Sequence, residues 1–508
     1  MRLRAPLRAF FIITVTIRII FTIEYIVPMA GILEGLEPQP VWDLFEQISR
    51  IPRCSKNEAR LQIWIESWAK ENDIGFKKDE VGNILLTRDA GMSNVPSLLL
   101  QAHQDMVCEK TPESNHDFEA DPIPLVVTGN RVLANQTSLG ADNGIGMALA
   151  MALLVDETVT GNGKIEALFT VDEEAGFSGV RNLKADFFKS NFMINLDSEE
   201  SGVIIVSSAG GGGTTYTIPY RPRGQANRAA LRVEVGGLMG GHSGVDIHLP
   251  RYNANKLLAE GLDRLHMEYP IRLIEFQGGT RGNAIPRNSF ADILVPGESI
   301  NKAVDLLKAW GRGLDRSNEK GLRVKITPIK SKPAAPIHET EKMIKLVSRI
   351  PFGPKSWSPD FDGLVQTSNN NGIVKTDKNV FIISVYSRTS DSKDFYDNQR
   401  ILHELGQRMG INTEQREGGV GWKADSDSLL LKIVKDSYMF VLKKNPKVTG
   451  IHGGLECGVI AGLKPGMEIV SVGPTIKSPH SPFEYVEVVG VGVLWEFLKG
   501  VAKRMAFL

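Results

Sequence analysis

Five short segments carry most of the side chains that could do chemistry: Ala-His103-Gln-Asp105, Gly-Ala-Asp142-Asn-Gly, Asp172-Glu173-Glu174-Ala-Gly, Asn-Leu-Asp197-Ser-Glu and Ser-Pro-His480-Ser-Pro. Together they offer two imidazoles and a surplus of carboxylates. That donor mix suits zinc, and also cobalt or manganese. Two divalent ions about 3.5–4 Å apart need one bridging carboxylate and terminal ligands for each. Asp142, at a helix start and held by Gly-rich backbone, is suited to bridge. Of Glu173 and Glu174, one can ligate while its neighbour serves as general base on a metal-held water. Asp105 lies two residues from His103 on a strand, so both side chains share a face and the carboxylate can orient the ring. Taken singly each segment is weak. A lone strand-end His is more often structural than a ligand, and a Glu pair is usually a solvated loop. The joint occurrence on strand ends is the signal.

The elements that must position these groups read as α/β. Residues 98–101 form a short apolar run leading into the His103 segment. Residues 165–171 and 192–196 read as buried strands ending in Asp172-Glu173-Glu174 and Asp197. Residues 144–155 are apolar almost all round, which predicts a buried helix. Helices at 44–51 and 58–72 and a strand at 83–87 precede them. Such alternation predicts a parallel-rich sheet, with a site at the carboxyl ends of its strands. The Gly-rich stretch 209–214 reads as a hinge or linker. After it the pattern restarts as a second, α+β unit. Its strands fall at 231–235, 271–276, 289–295, 324–329 and 380–387, and its helices at 253–265, 300–314, 340–347 and 395–409. Helices at 426–442 and 488–506 close the chain.

At 508 residues the chain is long enough for two to four domains. With 42% hydrophobic and 23% charged residues, a disordered tail, a collagen and a multi-span membrane protein are excluded. Lys+Arg and Asp+Glu both number 59, so no net charge steers the chain to nucleic acid or an anionic membrane. Cys54, Cys108 and Cys457 are too few and scattered for a disulfide framework or a zinc ribbon, which fits a reducing cytosol and a cytoplasmic protein. Residues 1–30 stand apart. Arg2, Arg4 and Arg8 precede an apolar run at 9–28 that Arg18 and Glu24 interrupt. A start codon placed ahead of Met29 is the plainest reading, with a membrane anchor or a signal peptide as alternatives.

Longer strings make the pattern specific: Leu-Gln-Ala-His-Gln-Asp-Met-Val (100–107), Thr-Ser-Leu-Gly-Ala-Asp-Asn-Gly-Ile-Gly-Met-Ala (137–148), Asp-Glu-Glu-Ala-Gly (172–176), Asn-Leu-Asp-Ser-Glu-Glu (195–200), Gly-Gly-His-Ser-Gly (240–244), Arg-Gly-Asn-Ala-Ile-Pro-Arg (281–287) and His-Gly-Gly-Leu-Glu-Cys-Gly (452–458). In these the chain resembles the dinuclear zinc metallopeptidases, the family that includes the carnosinase-like dipeptidases. The likeness runs from about residue 38 to the carboxyl end, and residues 1–30 have no counterpart. It implies an α/β catalytic domain with a mixed, parallel-rich sheet (38–207 and 411–508) and an inserted α+β lid/dimerisation domain (208–410). It implies two Zn2+ per subunit, with Co2+ or Mn2+ as substitutes. One ion would be held by His103, Asp142 and Asp197, the other by Asp142, Glu174 and His480.

The resemblance also implies roles. Glu173 would be the general base and later the acid, with Asp105 supporting His103. His242 would reach the partner subunit's site and stabilise the oxyanion. Asn283 and Arg388 would meet the substrate, and His452 and Glu456 would line the pocket. The implied activity is hydrolysis of small unblocked dipeptides with broad specificity, Xaa-His included, by a homodimer joined through the lid. No nucleic acid is implied, and no membrane unless residues 1–30 are an anchor. An N-acyl amino acid amidohydrolase on the same site is the alternative, and a non-catalytic binding protein is the alternative of another class. Without the resemblance, the His242 segment would be an ordinary turn and Arg388 a surface ion pair. His116, His248, His266, His338 and His403 lack a partner pattern and read as structural. The chain departs from the family in Gln104, where an apolar residue is common, in Phe483, where Asp is usual, and in the compact 177–179 stretch.

Overall fold

Small and apolar residues make the helix Ala141–Val155 buried on every side, so it must lie inside the protein rather than on it. In the computed structural model this helix packs on the strand Leu98–His103 and on the helix Gln39–Ser49. The described residues are 31–89, 94–160, 162–224, 226–419, 421–423 and 427–507. The three readings of residues 1–30 fall outside them. No helix among the described residues is long and apolar enough to cross a membrane.

Two nine-stranded sheets organise the chain. The first runs Gly75–Lys78, Ile84–Arg88, Ile165–Thr170, Leu98–His103, Phe192–Asn195, Glu468–Ser471, Val203–Ser208, Trp422–Lys423, with Lys447–Ile451 beside Val203–Ser208. Leu98–His103 lies parallel to both neighbours, with His103 opposite Thr170 and Gln101 opposite Asn195. Glu468–Ser471 continues the parallel centre, and the flanking pairs are antiparallel except for Lys447–Ile451 beside Val203–Ser208, so the sheet is mixed. The central strands are buried on both faces, as parallel strands under helices are. Their carboxyl ends therefore stand side by side, and the His103, Glu173 and Asp197 segments leave from one edge. The last part of the chain returns to that edge. Tyr485–Glu487 pairs with Arg131–Ala134 in a four-stranded sheet, which lays the His480 loop over the site.

The second sheet is antiparallel throughout, and includes Arg323–Ile329, Arg228–Gly236, Ser289–Pro296, Arg272–Gly278, Val365–Asp377 and Val380–Thr389. The hinge expected at 209–214 is overturned here. Gly210–Pro219 is a strand held between Val380–Thr389 and Asn412–Gly419. Gly211 and Gly212 serve close packing rather than flexibility. A Cβ on Gly211 would lie 2.5 Å from the Tyr386 hydroxyl, and one on Gly212 2.8 Å from the Phe395 ring. Val365–Asp377 went unread because its centre is Ser-Asn-Asn-Asn-Gly. Two of those buried amides are bonded through their side chains: Ser387 Oγ and Asn398 Nδ2 both donate to Asn369 Oδ1, at 2.7 Å each, and Asn370 Nδ2 donates to the Gly282 and Ala284 carbonyls.

The cysteine reading also needs correction. Cys54 and Cys108 form a disulfide, and only Cys457 is a free, buried thiol among the described residues. The two come together because the backbone at Cys54 runs parallel to that at Met106. The case for a reducing compartment thus loses its premise. The bond closes a loop of sequence separation 54, which on chain entropy stabilises the fold by about 4 kcal/mol. Thermal unfolding with and without dithiothreitol, and of Cys54→Ser, should show the loss as a lower Tm. An unchanged Tm would mean that the bond imposes no such constraint.

Candidate active site

His103 ends the central strand with its side chain 1% exposed. Its Nε2 lies 2.9 Å from Asp142 Oδ1 and 3.4 Å from Asp197 Oδ1. Its Nδ1 lies 3.0 Å from the Asp105 carbonyl oxygen, which fixes the ring so that Nε2 faces the carboxylates. His480 approaches from the opposite side, with Nε2 3.0 Å from Asp142 Oδ2 and 2.9 Å from Glu174 Oε1. The two oxygens of Asp142 thus face two different histidines. His103, Asp142 and Asp197 form one group that could hold a metal ion, and Asp142, Glu174 and His480 form another. His103, Glu173 and Glu174 form a third overlapping set.

Asp105 does more than steer the ring. Its fully buried carboxylate accepts hydrogen bonds from the Glu173 N–H at 3.0 Å, the Glu174 N–H at 3.2 Å and Ser55 Oγ at 2.7 Å. One side chain therefore orients His103 and pins the turn bearing both glutamates. Burial alone would raise its carboxyl, but His103, Ser55 and the Glu173 N–H bring it down to about 2. Asp142 is likewise held low against burial by His103 and His480. Burial pushes Glu173 well up, and Asp197, Glu174 and Glu456 add to this while His103 opposes it. Gln104 is buried, and its Nε2 donates to the Phe169 and Gly82 carbonyls at 2.8 and 3.0 Å.

Four carboxylates and two imidazoles thus converge in a largely buried place. Such an excess of acceptors, with two nitrogens among them, is the chemistry of a divalent cation site. The residues fit two ions sharing Asp142.

A model of peptidase family M20/M25/M40 matches residues 99–504. The chain belongs to this family. It is 39% identical over 482 residues to the cytosol non-specific dipeptidase of Escherichia coli, covering 93% of this chain and 99% of that protein. Among solved structures, the aminoacylhistidine dipeptidase from Vibrio alginolyticus matches with a TM-score of 0.82 at 34% identity, over 93% of this chain and 98% of that one. The aminopeptidase PepT from Bacillus cereus, at 15% identity and a TM-score of 0.55 over 93% and 99% of the chains, shares the fold. As a family M20/M25/M40 member the chain is a peptide-bond hydrolase, and its two sheets are those of the family's catalytic and lid domains.

The lid presents a second cluster. Arg388 is 6% exposed, stacks over the Tyr386 ring, and sets Nη2 3.3 Å from His242 Nε2. The Val245 N–H donates to His242 Nδ1 at 3.2 Å, which leaves the proton of a neutral ring on Nε2. Burial and then Arg388 lower His242 to about 4, so the ring is neutral at pH 7. Two donors then stand side by side, and Arg388 Nε, also buried, has no hydrogen-bond partner. An acceptor group is what this arrangement lacks. His452 is 5% exposed and shares a 2.7 Å hydrogen bond with Ser368 Oγ. Gly244, in the His242 loop, has no room for a Cβ, which would lie 2.3 Å from the His452 carbonyl oxygen.

Of the residues expected to meet substrate or line the pocket, Glu456 is buried and Asn283 exposed. Glu456 is fully buried at the start of the helix Glu456–Leu463, where Gln101 Nε2 and Thr170 Oγ1 donate to it at 2.5 and 2.6 Å. It props the central strands and reaches no open surface, because its helix packs onto the sheet. Asn283 is exposed. Its carbonyl accepts from the Ser243 N–H at 2.8 Å, beside the His242–Ala284 pair. Asn370 Nδ2 holds the same ribbon through the Gly282 and Ala284 carbonyls, at 2.8 and 2.7 Å. Arg53 and Glu484 also touch the site and carried no sequence signal of that role.

Proposed function

We propose that this chain hydrolyses unblocked dipeptides of broad sequence, Xaa-His included, with two Zn2+ per subunit and Glu173 as general base. The observation that carries this is Asp142, whose two oxygens face His103 and His480 separately while Glu174, not Glu173, pairs with His480. The names of the two relatives at 39% and 34% identity support a dipeptide substrate. Zinc ions bound there would polarise the peptide carbonyl and lower the pKa of water at the site. Glu173 takes the proton of that water at its carboxylate and returns it to the departing amine. His242 donates through Nε2–H to the carbonyl oxygen as charge develops. Arg388 pairs with the substrate's terminal carboxylate, which limits the length of peptide accepted. The same reading carries a homodimer joined through the lid, with His242 serving the partner subunit's site; residence in the cytoplasm rests on the name of the Escherichia coli relative, not on the cysteines.

The test is hydrolysis of Ala-His beside N-acetyl-Ala-His, with chelator and after zinc is restored. We expect cleavage of the free dipeptide alone, lost with chelator and regained with zinc. Cleavage of the acetylated form would make the chain a deacylase on the same site. Cleavage of neither by folded, zinc-loaded protein would point to a binding protein.

A further inference from the structure

We propose that Arg53 and Glu484 are paired positioning residues, each tying one histidine segment to the turn that carries Asp142. The turn spans residues 139–142. Glu484 takes its N–H groups: Oε2 accepts from Leu139 at 2.8 Å and Gly140 at 3.0 Å, and Oε1 from Asp142 at 3.3 Å. Arg53 takes its carbonyl: Nη2 donates to the Gly140 oxygen. A single residue, Gly140, is thus held by an anion at its N–H and a cation at its C=O.

Each clamp also reaches one histidine. Arg53 Nη1 donates to the Gln104 and Asp105 carbonyls, both at 3.0 Å. The Asp105 carbonyl is the one that faces His103 Nδ1. Glu484 lies four residues after His480, and its N–H donates to the Ser481 carbonyl at 3.1 Å. Arg53 therefore joins the His103 segment to Asp142, and Glu484 joins the His480 loop to it. Gly140 fits the clamp because its φ is +69° and a Cβ would lie 2.6 Å from Arg53 Nη2.

Both side chains are 2% exposed. Buried charges are costly, and an apolar pair would fill the same space more cheaply. What the charges add is direction, since three N–H groups and three carbonyls are fixed at once. Neither residue belongs to the donor groups.

The inference rests on the dinuclear reading above. Groups that hold ligands in place typically change metal affinity 10–100-fold when removed. The metal-free chain would be titrated with Zn2+ by calorimetry and with Co2+ by visible absorption. We expect two equivalents in the wild type. In Arg53→Lys the equivalent that His103 helps to hold, and in Glu484→Gln the one that His480 helps to hold, should weaken about tenfold or more, and the other equivalent less, since Asp142 is common to both groups. The Tm of the metal-free chain should fall somewhat in both, because the side chains are buried, so the decisive reading is the split between the two equivalents. Two unchanged equivalents in both variants would overturn the inference. So would a lower metal-free Tm with both equivalents weakened alike, which is a merely structural role. Should Arg53→Lys not fold, Glu484→Gln carries the test alone. A wild type that binds fewer than two equivalents would instead sink the dinuclear reading itself.

Discussion

Glu173→Gln should lower kcat for dipeptide hydrolysis by about 10²–10⁴-fold, the span of general acid–base catalysis, with both zinc equivalents retained. The amide keeps the shape of the side chain and cannot take a proton. Glu173 is half-buried on the four-residue helix Glu173–Gly176, its N–H fixed by Asp105. Its neighbour Glu174 is the one that pairs with His480. Steady-state kinetics with zinc content measured on the same preparation decides the matter. A kcat within fivefold of wild type would remove Glu173 from the chemistry. Loss of zinc would make it a ligand.

Asp142→Asn should be as damaging for a different reason. A carboxylate offers acceptors on both oxygens, whereas an amide turns one of them into an N–H donor. Asp142 Oδ1 faces His103 and Oδ2 faces His480, so the amide can serve one group only. We expect at most one tightly bound equivalent, and kcat/KM lower by about 10³-fold, since charge stabilisation by a metal is worth several kcal/mol. Added zinc should restore activity to chelator-treated wild type and not to the variant. A variant that binds two equivalents normally would show that Asp142 does not bridge.

Much of the site was legible because its segments are short and sit where strands stop. His103, Glu173 and Asp197 follow apolar runs, and the central sheet brings those ends to one edge. The segment Gly-Ala-Asp142-Asn-Gly opens the helix that its small apolar residues announce. The strand Gly210–Pro219 was misread because glycine signals a turn locally, while Tyr386 and Phe395 demand it sterically from elsewhere. Glu456 was misplaced because its motif gives a residue type and no direction. Gln101 and Thr170 draw it beneath the strands.

Residue types and the 2.0 and 3.6 periodicities are local, and they determined the α/β class, the strand ends and which short segments carry candidate donor groups. Only the tertiary structure decided that Asp142 stands between His103, 39 residues away, and His480, 338 residues away. It alone joined Cys54 to Cys108 and set Arg53 against Glu484 across Gly140. These pairings depend on which buried polar group meets which partner. That is settled by packing and by the cost of leaving a buried charge or hydrogen bond unmet, and no local pattern encodes it.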